Sequence, residues 1–199
     1  SGQSLREPDF VSVEAALSMS VSLPGNDEHR LGLTMRTPGQ DEQLILGYIY
    51  SEGIINSLDD ITGMDVTKDS ITVHLTDDAQ YIPDEHVRRS TITSSCGICG
   101  KDSISNLLHI HGPPLSESIN VNQQDVSYAV AALRAHQATF DLTGGSHACA
   151  RVLPGVGVLD AFEDIGRHNA MDKLVGNAVK LGHIPITNEV VVVSGRASF

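Results

Sequence analysis

Residues 156–181 read VGVLDAFEDIGRHNAMDKLVGNAVKL, and this stretch decides the fold class. Val156 to Phe162 alternates apolar and polar positions, the period of a half-buried strand. From residue 168 the period changes. Met171, Leu174, Val175, Ala178 and Leu181 fall on one stripe of a helix over 168–181, with Gly182 as its stop. A strand feeding an amphipathic helix is a building unit of an α/β protein. The junction between them, Glu163-Asp164-Ile165-Gly166-Arg167-His168-Asn169, is chemically unusual. Carboxylates ahead of a helix are routine, but Arg167 and His168 in the first turn oppose the helix dipole. Their placement makes sense where an anion lies between them, from a ligand or from Glu163 and Asp164.

Working outward, Ala148–Leu153 turns at Pro154-Gly155 into the strand just described, giving a hairpin. Val190–Val193 is a short all-apolar run, which predicts a strand buried on both faces. It leads into Ser194-Gly195-Arg196-Ala197-Ser198-Phe199, where a covering helix is expected and the sequence stops. The chain therefore reads as truncated at its C-terminus, or as borrowing cover from a partner. Residues 123–138 predict a helix capped by Asn122, with Val126, Ala129, Val130 and Leu133 on one face. Lys101 to His109 is a further helix candidate. In the first half, Val11–Leu23 and Arg30–Arg36 predict a hairpin around Pro24-Gly25-Asn26-Asp27. Thr37 then reads as an N-cap, with Pro38 first in the helix and Gln40 closing a capping box. That helix runs through Leu44, Ile45, Tyr48 and Ile49 to Gly53. Residues 61–67 and 70–76 predict a second hairpin turning at Lys68-Asp69. The expected architecture is α/β, a mixed sheet with flanking helices. A smaller N-terminal α+β part (1–95) precedes a motif-bearing C-terminal α/β part (96–199).

The length of 199 residues suits one domain with a small satellite, at about 150 residues per domain. The net charge is −12, which argues against duplex nucleic acid or an anionic membrane as main partner, since both reward clustered Lys and Arg. The acidity is uneven. Residues 1–95 carry 16 acidic and 6 basic side chains, and residues 96–199 carry 9 and 7. No apolar run approaches the ~20 residues of a membrane helix, and the opening SGQSLREPDF has no secretory-signal pattern. An odd count of 3 Cys is a poor disulfide framework and fits a reducing compartment.

Four constellations offer chemistry. In Cys96-Gly97-Ile98-Cys99-Gly100 the spacing brings two sulfurs together across a tight turn. A helix beginning near Cys99 would lower the thiol pKa of Cys96 and prime it as a nucleophile. Half of a zinc site, or two buried thiols, are the plainer readings, although no second ligand pair with finger-like spacing appears. Thr143-Gly144-Gly145-Ser146-His147 offers backbone N–H groups suited to a phosphate, and an ordinary turn explains it equally well. The third is the Asp164-to-His168 junction. In the fourth, Arg196 follows a strand at its carboxyl end, where ligands of open α/β sheets gather; an exposed loop Arg is the bland alternative. Cys149, alone in a strand, reads as a small core residue.

These segments in this order resemble the FdhD-type formate dehydrogenase accessory sulfurtransferases. The resemblance rests on Thr37-Pro38-Gly39, Leu46-Gly47-Tyr48, Ser51-Glu52-Gly53-Ile54-Ile55 and the C-x-x-C. It continues through the Thr143–His147 segment, the run from Glu163 to Lys173, and Ser194–Phe199. It implies a cytidine deaminase-like core, a homodimer and a cytoplasmic protein with no nucleic-acid polymer as partner. It also implies persulfide sulfur taken from a cysteine desulfurase on Cys96, with Cys99 as helper. That sulfur passes to the molybdenum bis(molybdopterin guanine dinucleotide) cofactor destined for formate dehydrogenase, bound as cargo. Thr143, Gly144, Gly145, His147, Asp164, Arg167, His168 and Arg196 are the residues expected to hold that anion, and no metal site is expected. The family continues several dozen residues past the serine-glycine-arginine segment. A zinc-dependent deaminase-like hydrolase would need H-x-E beside P-C-x-x-C. Here His147-Ala148-Cys149 lacks the Glu, and Ser95 precedes Cys96. A non-catalytic chaperone of cofactor or apo-enzyme is the other alternative.

Overall fold

The opening hairpin forms, with a first strand shorter than the alternation from Val11 predicts. β1 (Ala15–Ser22) and β2 (Glu28–Arg36) run antiparallel. Val11 and Val13 stay exposed, and between them the Ser12 hydroxyl shares a 2.8 Å hydrogen bond with Thr143. That long-range bond draws the segment away from the sheet. The structure, a computed structural model, describes residues 8–25, 28–82 and 119–197. The 95/96 boundary and the candidate helix at Lys101–His109 lie outside the described residues.

The second hairpin joins β3 (Ile61–Val66) to β4 (Ser70–Leu75) across Lys68-Asp69. β4 pairs parallel to β1, so this four-stranded sheet is mixed, with order β2-β1-β4-β3. Helix α1 (Asp41–Ser51) links the hairpins. Its start corrects the expected cap. Gln40, in left-handed backbone, is the N-cap residue, and the Thr37 hydroxyl instead accepts from the Ile165 amide at 3.0 Å. At the other end Gly53 takes φ +73°, the C-terminal stop that the sequence marks. Leu44, Ile45 and Ile49 of α1 pack on Leu17, Met19, Val21, Ile71 and Val73 of the sheet, all buried.

The second sheet has order β6-β5-β7, from β5 (His147–Leu153), β6 (Gly157–Asp164) and β7 (Val190–Val193), all antiparallel. The described strands thus form an α/β fold with two sheets, a mixed one in the first half and an antiparallel one in the second. Among the described residues β7 is an edge strand, and its Val191 is 40% exposed. Its unbroken valines therefore do not mark burial on both faces. One face of the sheet holds Ala148, Ala150 and Val152 against Ala129 and Leu133 of α2 (Gln123–Arg134). Asn122 caps α2 in a full capping box with Asp125. Val126 and Val130 remain exposed, and the predicted 123–138 helix divides. A separate α3 (Ala138–Thr143) follows, because Glu163 accepts from the amides of Thr139 and Phe140 at 2.7 and 2.9 Å and starts a new helix there.

On the other face lies α4 (Arg167–Lys180), against Cys149 through Ala170 and Leu174. α4 also joins the two sheets. A Cβ on Gly47 would fall 1.8 Å from the Asp172 carbonyl oxygen, and one on Gly176 would fall 1.8 Å from that of Gln43. Only glycine lets α1 and α4 approach so closely. Val175 and Val179 thereby reach the first core. Among the described residues no helix is long and apolar enough to cross a membrane.

Candidate functional site

The β6–α4 junction is organised by Asp164, which is 0% exposed. One carboxylate oxygen accepts from the Gly166 amide at 2.9 Å and the Asn169 side chain at 3.0 Å. The other accepts from the Thr37 amide at 3.1 Å and pairs with Lys173 Nζ at 2.7 Å. Lys173, equally buried, also donates to the Thr37 carbonyl at 3.0 Å. Asn169 donates to the Met35 carbonyl at 2.8 Å. The expected ligand contact at Asp164 is therefore corrected. Its carboxylate is enclosed and fully engaged, and its role is to fix the helix start against β2. The long EDIGRHNAMDK run is thus built on two faces: Asp164, Asn169 and Lys173 turn inward, while Arg167 and His168 are half-buried. Arg167 and His168 both make interactions inside the protein.

Three of the four predicted loops meet at one cleft of about 520 Å³. Gly144, Gly145, Ser146 and His147 form one wall, Ile165 another, and Ser194 a third. The Ser194 hydroxyl accepts from the Ala148 amide at 2.8 Å, and the Ser194 amide donates to the Ala148 carbonyl at 2.9 Å. A Cβ on Gly195 would lie 3.2 Å from His147 Nδ1 and 3.4 Å from Arg167 Cβ. That glycine lets the last loop pass against both side chains. The cleft opens beyond the carboxyl ends of β6 and β7, where an open sheet leaves room for ligand. Arg196, next in the chain after Gly195, is exposed.

The glycine pair behaves differently from a phosphate nest. Gly144, at φ +64°, closes α3, and its amide donates to the Phe140 carbonyl at 2.7 Å. The Gly145 amide donates to Thr143 Oγ1 at 3.1 Å, and that hydroxyl donates to the Thr139 carbonyl at 2.7 Å. These N–H groups are engaged within the turn, so the loop offers close backbone approach rather than free donors. Thr143 orders the loop and is not among the residues lining the cleft. Glu163, beyond starting α3, accepts from the Ser146 hydroxyl at 2.7 Å, which ties the glycine loop to β6.

The cleft also contains residues that the motifs do not mark: Arg134, Gln137 and Phe140. The Arg134 guanidinium stacks on Phe140, 5.1 Å from the ring centroid, and pairs with Asp141. Arg134 in the last turn of a predicted helix was the available signal, but that position is equally routine for the helix dipole. Cys96 and Cys99 lie outside the described residues. Cys149 is buried. Burial, and secondarily the Asp172 carboxylate, pushes its thiol up to about 12, which leaves it a poor nucleophile. Among the described residues, no three His, Cys, Asp or Glu side chains converge as metal ligands.

A family model described as the FdhD/NarQ family matches residues 14–199. The chain is 35% identical over 192 residues to a protein named sulfur carrier protein FdhD from Sulfolobus acidocaldarius, covering 96% of this chain and 70% of that one. A protein of the same name from Thermoplasma acidophilum is 37% identical, covering 98% of this chain and 70% of that one. In three dimensions the chain is similar to a crystal structure from Desulfotalea psychrophila described as a formate dehydrogenase accessory protein. The TM-score is 0.69 at 20% identity, over 94% of this chain and 68% of that one. That likeness carries the fold, and the sequence matches carry the descent: the chain belongs to the FdhD/NarQ family.

Proposed function

We propose that this chain is a sulfur carrier that serves formate dehydrogenase. It takes persulfide sulfur from a cysteine desulfurase on Cys96 and delivers it to the molybdenum bis(molybdopterin guanine dinucleotide) cofactor, its substrate. The chain works in the cytoplasm as a homodimer. The observation that carries this reading is the convergence of the Gly144–His147, Ile165–Arg167 and Ser194–Gly195 loops on one cleft, in a chain whose relatives bear the name sulfur carrier protein. Arg134, His147, Arg167, His168 and Arg196 supply cationic or titratable donors for a bulky dinucleotide anion. Phe140 offers a ring face for a base. Asp164 acts as a positioning residue, holding the turn from which Arg167 and His168 project.

The Cys96 thiolate attacks the outer sulfur of the donor persulfide. The donor S–S bond breaks, its cysteine thiolate leaves, and Cys96–S–SH forms. Attack of the Cys99 thiolate on the inner sulfur then makes a Cys96–Cys99 disulfide and releases the outer sulfur as hydrosulfide, the ligand delivered to molybdenum. A cellular dithiol restores the pair. Mass spectrometry of the chain after incubation with a desulfurase and cysteine tests the first step. One added sulfur is expected in Cys99→Ala and Cys149→Ala and none in Cys96→Ala. Sulfur retained by Cys96→Ala and lost by Cys99→Ala would reverse the two roles.

A further inference from the structure

Gln137 lies at the break between α2 and α3, lines the cleft, and is only 5% exposed. Its main chain is engaged: the amide donates to the Arg134 carbonyl at 3.4 Å, and the carbonyl accepts from the Asp141 amide at 2.9 Å. Its side chain is not. An N-cap side chain ordinarily accepts from the amides two and three places on, here Thr139 and Phe140. Gln137 is the N-cap residue of α3 and makes no such bond. Glu163 holds both amides instead, at 2.7 and 2.9 Å. With that task taken, the Gln137 carboxamide has no hydrogen-bond partner among the described residues. It is not sealed either. Its nitrogen and oxygen are not among the enclosed, unpartnered atoms of the interior, and they keep accessible surface in a residue that lines the cleft.

Burying a carboxamide without partners costs stability, so its presence points to a group that supplies them from the cleft. The carboxamide offers a donor beside an acceptor in one plane. Its complement is a second amide-type edge, on which both bonds form at once. An uncharged amide is a weak partner for phosphate, which charge-assisted bonds hold better. The flanking residues add a shape. Arg134 and Phe140 stand three positions to either side, and the guanidinium covers the Phe140 ring at 5.1 Å from its centroid. That stack is a planar, delocalised surface beside the amide, suited to a flat heterocycle. Guanine combines both properties: it is flat, and its six-membered ring carries a carbonyl beside an N–H. We infer that Gln137 holds the edge of the guanine base, Nε2 donating to the base carbonyl and Oε1 accepting from the neighbouring ring N–H. The inference rests on the reading of this cleft as the site of the guanine dinucleotide.

Calorimetric titration of the full chain with guanosine diphosphate and with inorganic pyrophosphate tests it. Gln137→Leu should weaken guanosine diphosphate by roughly tenfold, as expected for two neutral hydrogen bonds, and leave pyrophosphate unchanged. Because no protein group loses a partner, Gln137→Leu should keep or raise the thermal midpoint of the chain without ligand. The methylated analogue N1-methylguanosine diphosphate, which lacks the ring N–H, should bind the wild type no better than Gln137→Leu binds guanosine diphosphate. A lowered midpoint with equal losses of guanosine diphosphate and pyrophosphate would make Gln137 a structural residue and overturn the inference. So would wild-type binding of the methylated analogue as tight as that of guanosine diphosphate. If guanosine diphosphate does not bind at all, the inference fails together with the cleft reading, while the persulfide step keeps its own test by mass spectrometry.

Discussion

The first sheet encloses long aliphatic side chains, Leu17, Met19, Val21, Leu31, Ile71, Val73 and Leu75, against the leucines and isoleucines of α1. The second encloses Ala148, Cys149, Ala150 and Val152, and beside these small residues lie three buried charges, Arg151, Asp164 and Lys173. Hydrophobic burial scales with apolar area, so the first region supplies the larger share of that term. The second region gives up apolar area and gains geometry. Each of its buried charges lies near one end of α4. Most of the net negative charge sits in residues 1–95, whereas the loops that converge at the cleft belong to the second half of the chain. The larger apolar core and the cleft therefore lie with different sheets, coupled through the contact of α1 with α4.

The coupling is the largest expected effect. Alanine at Gly176 or Gly47 would place a Cβ 1.8 Å from a main-chain oxygen, and no rotamer change relieves a backbone clash. The helices must separate, at an expected loss of more than about 4 kcal/mol. Against a total stability of about 5–15 kcal/mol, guanidinium unfolding should find Gly176→Ala largely unfolded in buffer. A loss below about 1 kcal/mol would mean that the two sheets are not held by this crossing.

Next in size is the buried pair. Lys173→Met strands the Asp164 carboxylate without its counter-ion and should cost about 3–5 kcal/mol. Adding Asp164→Leu removes the orphaned charge, so the double variant should be more stable than Lys173→Met alone, as read from urea midpoints. Any cofactor binding should not return with it, because the Gly166 amide and Asn169 lose the carboxylate that places Arg167 and His168.

What the sequence made legible follows the same division. Local signals were read correctly where local physics decides. These include the Asn122 cap, the stops at Gly53 and Gly182, the turn at Lys68-Asp69, and the β6–α4 succession. Tertiary bonds overrode local ones at Thr37, whose hydroxyl serves Ile165 rather than its own helix. The same happened at residues 134–139, where Glu163 starts a second helix within an apparently continuous one. The glycine, Arg167 and Gly195 loops meet at one end of the second sheet, which their separate motifs do not show. The inward turn of Asp164 was hidden, since one residue type serves both a ligand and an N-terminal cap. Arg134 and Phe140 carried no motif, because their place in the cleft depends on a helix break with no periodic trace.

Cys149 gives a smaller test of the second region's interior. Its thiol is raised from an ordinary value near 9 to about 12 by burial and by Asp172. The folded state therefore holds this proton more tightly than the unfolded state. The resulting stability is fully present below pH 9 and is lost as pH rises through about 12. Thermal melts of the wild type should fall more steeply over that window than those of Cys149→Ala, in which Lys and Tyr titrate unchanged. Parallel curves would place the thiol in contact with water. Iodoacetamide at pH 8 should leave Cys149 unmodified until the chain is unfolded.

The smallest effect is the most local. Ser12 reaches from the segment before β1 to the Thr143 hydroxyl, and Ser12 Oγ lies 3.1 Å from where a Gly145 Cβ would be. Ser12→Ala removes one partly exposed hydrogen bond, worth about 1 kcal/mol. Thr143 keeps its bonds to the Thr139 carbonyl and the Gly145 amide, so the turn itself should persist. If the segment before β1 belongs energetically to the first sheet, Ser12→Ala should lower the unfolding midpoint and leave the loop's exchange rates alone. The hydrogen bond places it with the second region instead. Amide exchange at residues 144–147 should accelerate severalfold while amides of β1 and β4 stay as protected as before, since the register of β1 against β4 begins only at Ser18.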